Sequence, residues 1–204
     1  QLPSKGLLYS KDSPLSKGEV EMKYMTAKEE DILTNNNYIS NGTVIDKLLQ
    51  ALIITEGVNF NNLLIGDKNA IMVAARILSY GKDYTFNYGG KEYTVDLTEL
   101  KNKEVEIKEG KNEFEFTLPK SENKVTFKLL THKDEREIEN EMKGLKKLNK
   151  DSSTETTTRL KHTLTSVNGL VEKKDIREFV DKYLLAADAR ALRKFMLLVS
   201  PDVN

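Results

Sequence analysis

The chain has 204 residues, of which 38% are hydrophobic and 31% charged; 32 lysines and arginines balance 32 aspartates and glutamates, and there is no cysteine. Such a composition describes a globular chain of one large domain or two small ones. It excludes disulfides, thiolate metal sites and cysteine nucleophiles, and its neutral balance offers no overall attraction to nucleic acid or to an anionic membrane surface. No apolar run approaches the roughly 20 residues of a membrane span, and no charged-then-apolar leader opens the chain. Cytosolic synthesis without a membrane partner is therefore expected. The chain opens on Gln1 rather than methionine and closes on "SPDVN", which reads as clipped at both ends.

After "LPSK" at Leu2 to Lys5 comes "SKDSPLSKG" from Ser10, a polar stretch expected to be a surface insertion. "GEVEMKYM" alternates, placing Val20, Met22 and Tyr24 on one face of a strand. Thr26-Ala27-Lys28-Glu29 is then a capping box, with the Thr26 hydroxyl capping a helix and the Glu29 carboxylate reaching back to the cap amide. "TNNNYISNG" reads as a loop. "TVIDKLLQALI" predicts a helix turning Val44, Leu48, Leu52 and Ile45 inward. Asp67 is expected to be the N-cap of the next helix. Its stripe of Ile71, Ala74, Ala75 and Leu78 ends at Gly81 in a left-handed stop. A hairpin follows, with Tyr84, Phe86 and Tyr88 on one face of the outgoing strand and Tyr93, Val95 and Leu97 on one face of the return. Gly89 and Gly90 supply the positive backbone angles of its tight turn.

"KNKEVEIKEGKNEFEFTLPK" alternates as linking strands, and "KVTFKLL" as a strand with Val125, Phe127 and Leu129 on one face. Thr131-His132-Lys133-Asp134 is a shorter capping box, Asp134 replacing the glutamate. The helix it opens carries Ile138, Met142, Leu145 and Leu148 at helical spacing. Lys146 to Thr158 is polar and reads as a flexible loop. "TTRLKHTLTSV" is the following helix. Asp188 is expected to N-cap the last one, with Leu192, Phe195, Met196 and Val199 inward and Ser200-Pro201 as its stop.

These phrases repeat. "LPSK" returns as "LPKS", "TAKEEDI" as "THKDEREI" and "LLIGD" as "LLAAD", at offsets of 116, 105 and 121 residues. Matching Gly57 with Gly169 places Leu48 and Leu52 against Leu160 and Leu164, at an offset of 112. Order is kept while spacers change length, which is the pattern of a duplicated unit. The expected fold class is α+β, with an internally duplicated unit of strand, capped helix, two further helices and β-hairpin forming two similar halves. The halves are expected at 1–100 and 116–204, with linking strands at 101–115 and the second hairpin falling beyond Asn204.

Candidate chemistry is sparse. Glu29, Glu30 and Asp31 are consecutive on a helix and point in different directions, which suits a helix start better than a metal cage. His132 and His162 have no second histidine at a ligating interval. Asp67 with Arg76, and Asp188 with Arg193, are candidate ion pairs or partner contacts, against a reading as caps beside solvated arginines. Lys143, Lys146, Lys147 and Lys150 interleave with Glu139 and Glu141 as a solvated helix face. No phosphate loop, dinucleotide fingerprint, nucleophile elbow or zinc-protease helix occurs. No catalytic, cofactor-binding or metal residue is therefore assigned, and an enzyme is not expected. Two alternatives are a metal-dependent hydrolase using Glu29, Glu30, Asp134 and Glu135, and a nucleic-acid binding module, to which the neutral charge is the main objection.

"LPSKGLLY", "MTAKEEDIL", "LLIGDKNAIMVAARILSYGKDY" and "LLAADARALRKFMLLVSPDV" resemble the baseplate hub-subunit and hub-assembly proteins of contractile-tailed bacteriophages related to the T-even group, from Leu2 to Val203. The resemblance implies a late protein that joins the baseplate hub or escorts its assembly, with other hub or tail proteins as partners; the two similar halves add a homo-oligomer as a candidate partner. It implies a location in the virion tail baseplate, and in the host cytoplasm during assembly. Members of this kind often carry cysteine pairs that clamp zinc in the hairpin after an R-x-x-S-[YF]-G phrase. Here that phrase is Arg76, Ser79, Tyr80 and Gly81, and the hairpin tip reads Asn87, Tyr88, Gly89 and Gly90, so no zinc site carries over and no cofactor is expected.

Overall fold

The protein is described by a computed structural model covering residues 1–148 and 154–204. It is a mixed α+β chain that divides into two compact units, the first made of residues 1–109 and 201–204 and the second of 110–200. Residues 149–153, with Lys150, and the Leu148 side chain lie outside the described residues, as does the centre of the loop expected over Lys146–Thr158. Among the described residues no helix is long and apolar enough to cross a membrane.

The first unit holds α1 (Ala27–Thr34), α2 (Asn36–Asn41), α3 (Val44–Leu52), α4 (Ile65–Tyr80) and a hairpin of β1 (Asp83–Tyr88) and β2 (Lys91–Asp96). The inward face of α3 repeats every three to four residues, burying Leu48, Leu49 and Leu52. Leu49 packs with Leu2, Leu15, Leu63 and Ile71, while Leu48 and Leu52 meet Ala75. Along α4, Ile71 and Ala75 are buried as the stripe predicts, but Leu78 is exposed because the helix end runs beyond this core.

Three expectations change here. Val20–Met25 is extended but not a regular strand: it makes one bridge, Met22 to Ile53, and Lys23 N donates to Leu52 O at 2.9 Å. Tyr24 turns to solvent at 68% exposure, because the chain leaves this brief pairing to enter the Thr26 capping box. "TNNNYISNG" contains α2, since the Asn35 side chain accepts from the amides of Asn37 and Tyr38 and Gly42 closes the turn. The Ser10–Gly18 stretch is not merely superficial. Its short 3-10 turn, Pro14–Lys17, is capped by Ser13 and drives Leu15 fully into the core.

Residues 201–204 belong to the first unit, where the sequence reading ran the second unit on to 204. Lys101 N donates to Asn204 O and Lys103 N to Asp202 O, and Asn69 Nδ2 reaches Asp202 at 3.1 Å. The second residue of α4, Gly66, makes this possible: a Cβ there would lie 1.8 Å from Pro201 O. Gly66→Ala is expected to destabilise the unit by about 1–3 kcal/mol through overpacking. Faster hydrogen exchange at the Lys101 and Lys103 amides would report the displaced segment.

The second unit contains β3 (Phe114–Thr117), β4 (Lys124–Phe127), α5 (His132–Leu148), α6 (Glu155–Thr163), β5 (Leu164–Val167), α7 (Lys173–Glu178), a π-helical turn (Phe179–Tyr183) and α8 (Ala186–Val199). Its antiparallel sheet runs in the order β3-β4-β5, pairing Phe114 with Phe127, Phe116 with Val125 and Val125 with Val167. Period-two alternation buries Val125 and Phe127, and Phe195 of α8 stacks on Phe116 at 4.8 Å and meets Phe127 edge-on at 5.9 Å. In α5, Ile138 is buried, with Met142 and Leu145 half-buried.

"TTRLKHTLTSV" is not one helix. It leaves α6 at Thr163 and becomes β5, because β4 offers an open edge and Thr165 and Val167 are β-branched. The linking strands expected over 101–115 reduce to one bridge, Asn102 to Val203, and the start of β3.

Candidate functional site

The candidate surface is the hairpin of the first unit. Tyr88 pairs with Lys91 across Gly89 and Gly90, whose φ angles of 58° and 77° are those of a two-residue primed turn. Residues opposite each other across an antiparallel pair share a face. Tyr84 opposite Val95, Phe86 opposite Tyr93 and Tyr88 opposite Lys91 therefore make one aromatic face. The other face carries Asp83, Thr85, Asn87, Glu92, Thr94 and Asp96.

The aromatic face is partly open to solvent. Tyr84, Phe86, Tyr88, Tyr93 and Val95 are 44%, 38%, 75%, 45% and 42% exposed. The rings stack on one another, Tyr84 with Phe86 at 5.9 Å and Phe86 with Tyr93 at 5.8 Å. At its base the face continues onto α4, where the Arg76 guanidinium lies 4.9 Å from the Tyr80 ring and 5.7 Å from the Tyr84 ring. Tyr80 OH donates to Glu30 Oε1 at 2.7 Å, and that contact raises the tyrosine pKa. A two-stranded hairpin standing alone in water is marginally stable, so this one is held at its base and by its own ring contacts.

Arg76 is thus not the partner of Asp67. Its nitrogens donate to the carbonyls of Gly81 and Asp83, fastening the helix end to the hairpin. Arg193 likewise donates to Ala189 O within α8 rather than pairing with Asp188. The two aspartates are not N-caps either. The caps are Leu64 and Leu185, so each aspartate is the third helical residue, fully buried. An acid in the first turn faces the helix amide end, and each carboxylate looks outward to the "LPSK" or "LPKS" loop.

Asp67 accepts from Ser4 N at 2.9 Å, Ser4 Oγ at 2.6 Å and Tyr9 OH at 2.5 Å, while Tyr9 OH accepts from Leu64 N. Burial pushes the Asp67 carboxyl up against the pull of these donors, and burial beside that charge raises the Tyr9 phenol. Asp188 accepts from the amides of Lys120 and Ser121 at 2.8 and 3.0 Å. Burial works to raise its carboxyl too, but hydrogen bonds from Ser121 and Lys120 hold it below the usual range.

The capping boxes show the same parallel. Lys23 Nζ meets Glu29 Oε1 at 2.7 Å and Thr26 N donates to Glu29 Oε2 at 2.8 Å. Lys128 Nζ meets Asp134 Oδ1 at 2.7 Å and Thr131 N donates to Asp134 Oδ2 at 2.9 Å. The Lys23 and Thr26 bonds bring Glu29 down to about 2, and at Asp134 the Lys128 and Thr131 bonds outweigh burial to lower it. The lysines stand at the same 105-residue offset as the threonines, a signal present in the sequence but not used there.

These carboxylates are committed to caps and ion pairs, and Glu30 to Tyr80. Among the described residues no group of three or more His, Asp or Glu could hold a metal ion. His132 is buried in the first turn of α5.

His162 belongs to a cluster that sequence reasoning missed: its Nε2 lies 2.7 Å from Glu141 Oε2, and Arg177 grips both Glu141 oxygens at 2.8 Å. Residues 21 and 36 positions apart meet there only through the packing of α5, α6 and α7. Hydrogen bonds from Arg177, then His162, bring Glu141 down to about 2 despite its partial burial. A depressed carboxyl stabilises the fold above its unfolded value and stops doing so as pH falls toward its folded one. Stability from this cluster should decline from the ordinary glutamate value of 4.5 toward 2. Urea unfolding across that window should lose this part of the slope in Glu141→Gln.

Comparison of the chain with family models, with curated proteins and with solved structures finds no match.

Proposed function

We propose that this protein is a protein–protein scaffold of a contractile phage tail, a component of the baseplate hub or a factor in its assembly. The observation that carries the scaffold reading is the solvent-exposed aromatic face of the hairpin, contiguous with Tyr80 and Arg76. Tyrosine, phenylalanine and arginine are the residues enriched at the centres of protein interfaces.

Two further observations support it. The paired loop-to-aspartate and lysine-to-cap contacts of the two units favour an internal duplication, and a duplicated unit offers related surfaces to repeated neighbours. The phrases from Leu2 to Val203 that resemble hub proteins supply the kind of assembly. On this reading the partners are other hub or tail proteins, met in the host cytoplasm during assembly and, for a hub component, in the tail baseplate.

Affinity capture from infected cells is expected to recover hub or tail components with the wild-type chain and far less with Phe86→Ser. Presence of the chain in purified particles at a fixed ratio to other tail proteins would mark a hub component, and its absence an assembly factor. If the wild-type chain captures no tail component, the reading falls.

A further inference from the structure

We propose that the aromatic hairpin face binds the same face of a second copy of this chain, through a two-fold axis passing near Phe86 and Tyr93. This rests on the reading of that face as an interaction surface and names its occupant.

The first argument is area. With about 200 Å² per aromatic side chain, the exposed fractions of Tyr80, Tyr84, Phe86, Tyr88 and Tyr93 leave about 500 Å² of ring surface in one patch. This is at the upper range for an isolated chain. Two such faces in full contact would bury at most about 1,000 Å², the lower bound for a specific interface.

The second is charge. The face carries Lys91 at its tip, opposite Tyr88. At its base stand the exposed Glu30, held by Tyr80 OH, and the Arg76 guanidinium, whose donors are already directed to the Gly81 and Asp83 carbonyls. A strand of six residues spans about 20 Å, which separates Lys91 from Glu30 within one copy. Antiparallel apposition about a two-fold axis sets each tip against the other copy's base. Lys91 then meets Glu30 of the second copy, and the Tyr88 ring meets the Arg76 and Tyr80 end, where a cation already lies over rings. Parallel apposition would set Lys91 against Lys91. The acidic back of the hairpin, Asp83, Glu92 and Asp96, faces away in this arrangement.

Sedimentation velocity on the full chain across the micromolar range tests this. Expected is a concentration-dependent dimer, abolished by Phe86→Ser and weakened about ten-fold by either Glu30→Lys or Lys91→Glu alone. The double reversal, Glu30→Lys with Lys91→Glu, should restore it. Both charges are exposed; Glu30→Lys also removes the acceptor of Tyr80 OH while Lys91→Glu breaks no hydrogen bond described above, so unchanged far-ultraviolet circular dichroism is required of each variant and Lys91→Glu is the cleaner test.

A wild-type chain that stays monomeric overturns the proposal, as does a dimer indifferent to Phe86→Ser and to both reversals. A monomeric wild type that still captures tail proteins through Phe86 rejects self-association and leaves the scaffold reading standing. A charge-swappable dimer that captures none does the reverse.

Discussion

Asp67→Ala is expected to destabilise the protein by about 3–5 kcal/mol, since each buried donor left unpaired costs about 1–3 kcal/mol. Three donors lose their acceptor together: Ser4 N, Ser4 Oγ and Tyr9 OH. The amide is fixed in the loop and cannot turn to another partner, and Tyr9 is itself held by Leu64 N. Equilibrium urea unfolding is the measurement, with Asp67→Asn as the companion variant. Asparagine keeps the volume and one acceptor, so a smaller loss is expected. The pH dependence separates the two roles of the carboxyl. A raised folded pKa means its contribution is fully present below the unfolded aspartate value and declines as pH rises through the folded one. Asp67→Asn should therefore be relatively less harmful at neutral pH than in acid. A loss below about 1 kcal/mol for Asp67→Ala would mean that the Leu2–Tyr9 loop is not anchored by this residue.

Leu15→Ala is expected to cost about 2–5 kcal/mol, as for other fully buried leucines. Leu15 is completely buried against Leu2, Leu49, Leu63 and Ile71. The same loop provides its own control. Lys11 is 90% exposed and its 3.5 Å contact to Glu109 is a surface ion pair, so Lys11→Ala should change stability by less than about 0.5 kcal/mol. Unfolding midpoints of the two variants, measured side by side, distinguish a core element from a surface insertion. Equal midpoints would return the whole Ser10–Gly18 stretch to the surface.

What could be read from the sequence followed the range of the interactions. Capping boxes at Thr26 and Thr131, and the Gly89-Gly90 turn, depend on residues within four positions of each other, and all three form as expected. The core faces of α3 and α4 were legible in part, because helical spacing names the stripe but not where the core ends. Leu49 was therefore missed and Leu78 overrated. The partners of Asp67 and Asp188 lie 58–68 residues away, so only the burial of those aspartates turns an apparent cap into a loop anchor. At Leu164 the local pattern favours continuing the helix, and pairing with β4 overrides it. The aromatic alternation of the hairpin was plain in the sequence. That its face stays exposed depends on what else packs there, which only the folded chain shows.

The return of residues 201–204 to the first unit has a kinetic consequence. Domains fold as units, those nearer the N-terminus first as the chain is synthesised, yet here the first unit to begin cannot be the first to finish. Its contacts from Asn69, Lys101 and Lys103 wait on residues made after all of Gly110–Ser200. The second unit, being continuous, can complete its own sheet and helices during that wait. Vectorial synthesis therefore favours a nested order, the inner unit closing before the outer one. A spectroscopic label on Asp202 would report the closure of the outer unit as a late, separate phase.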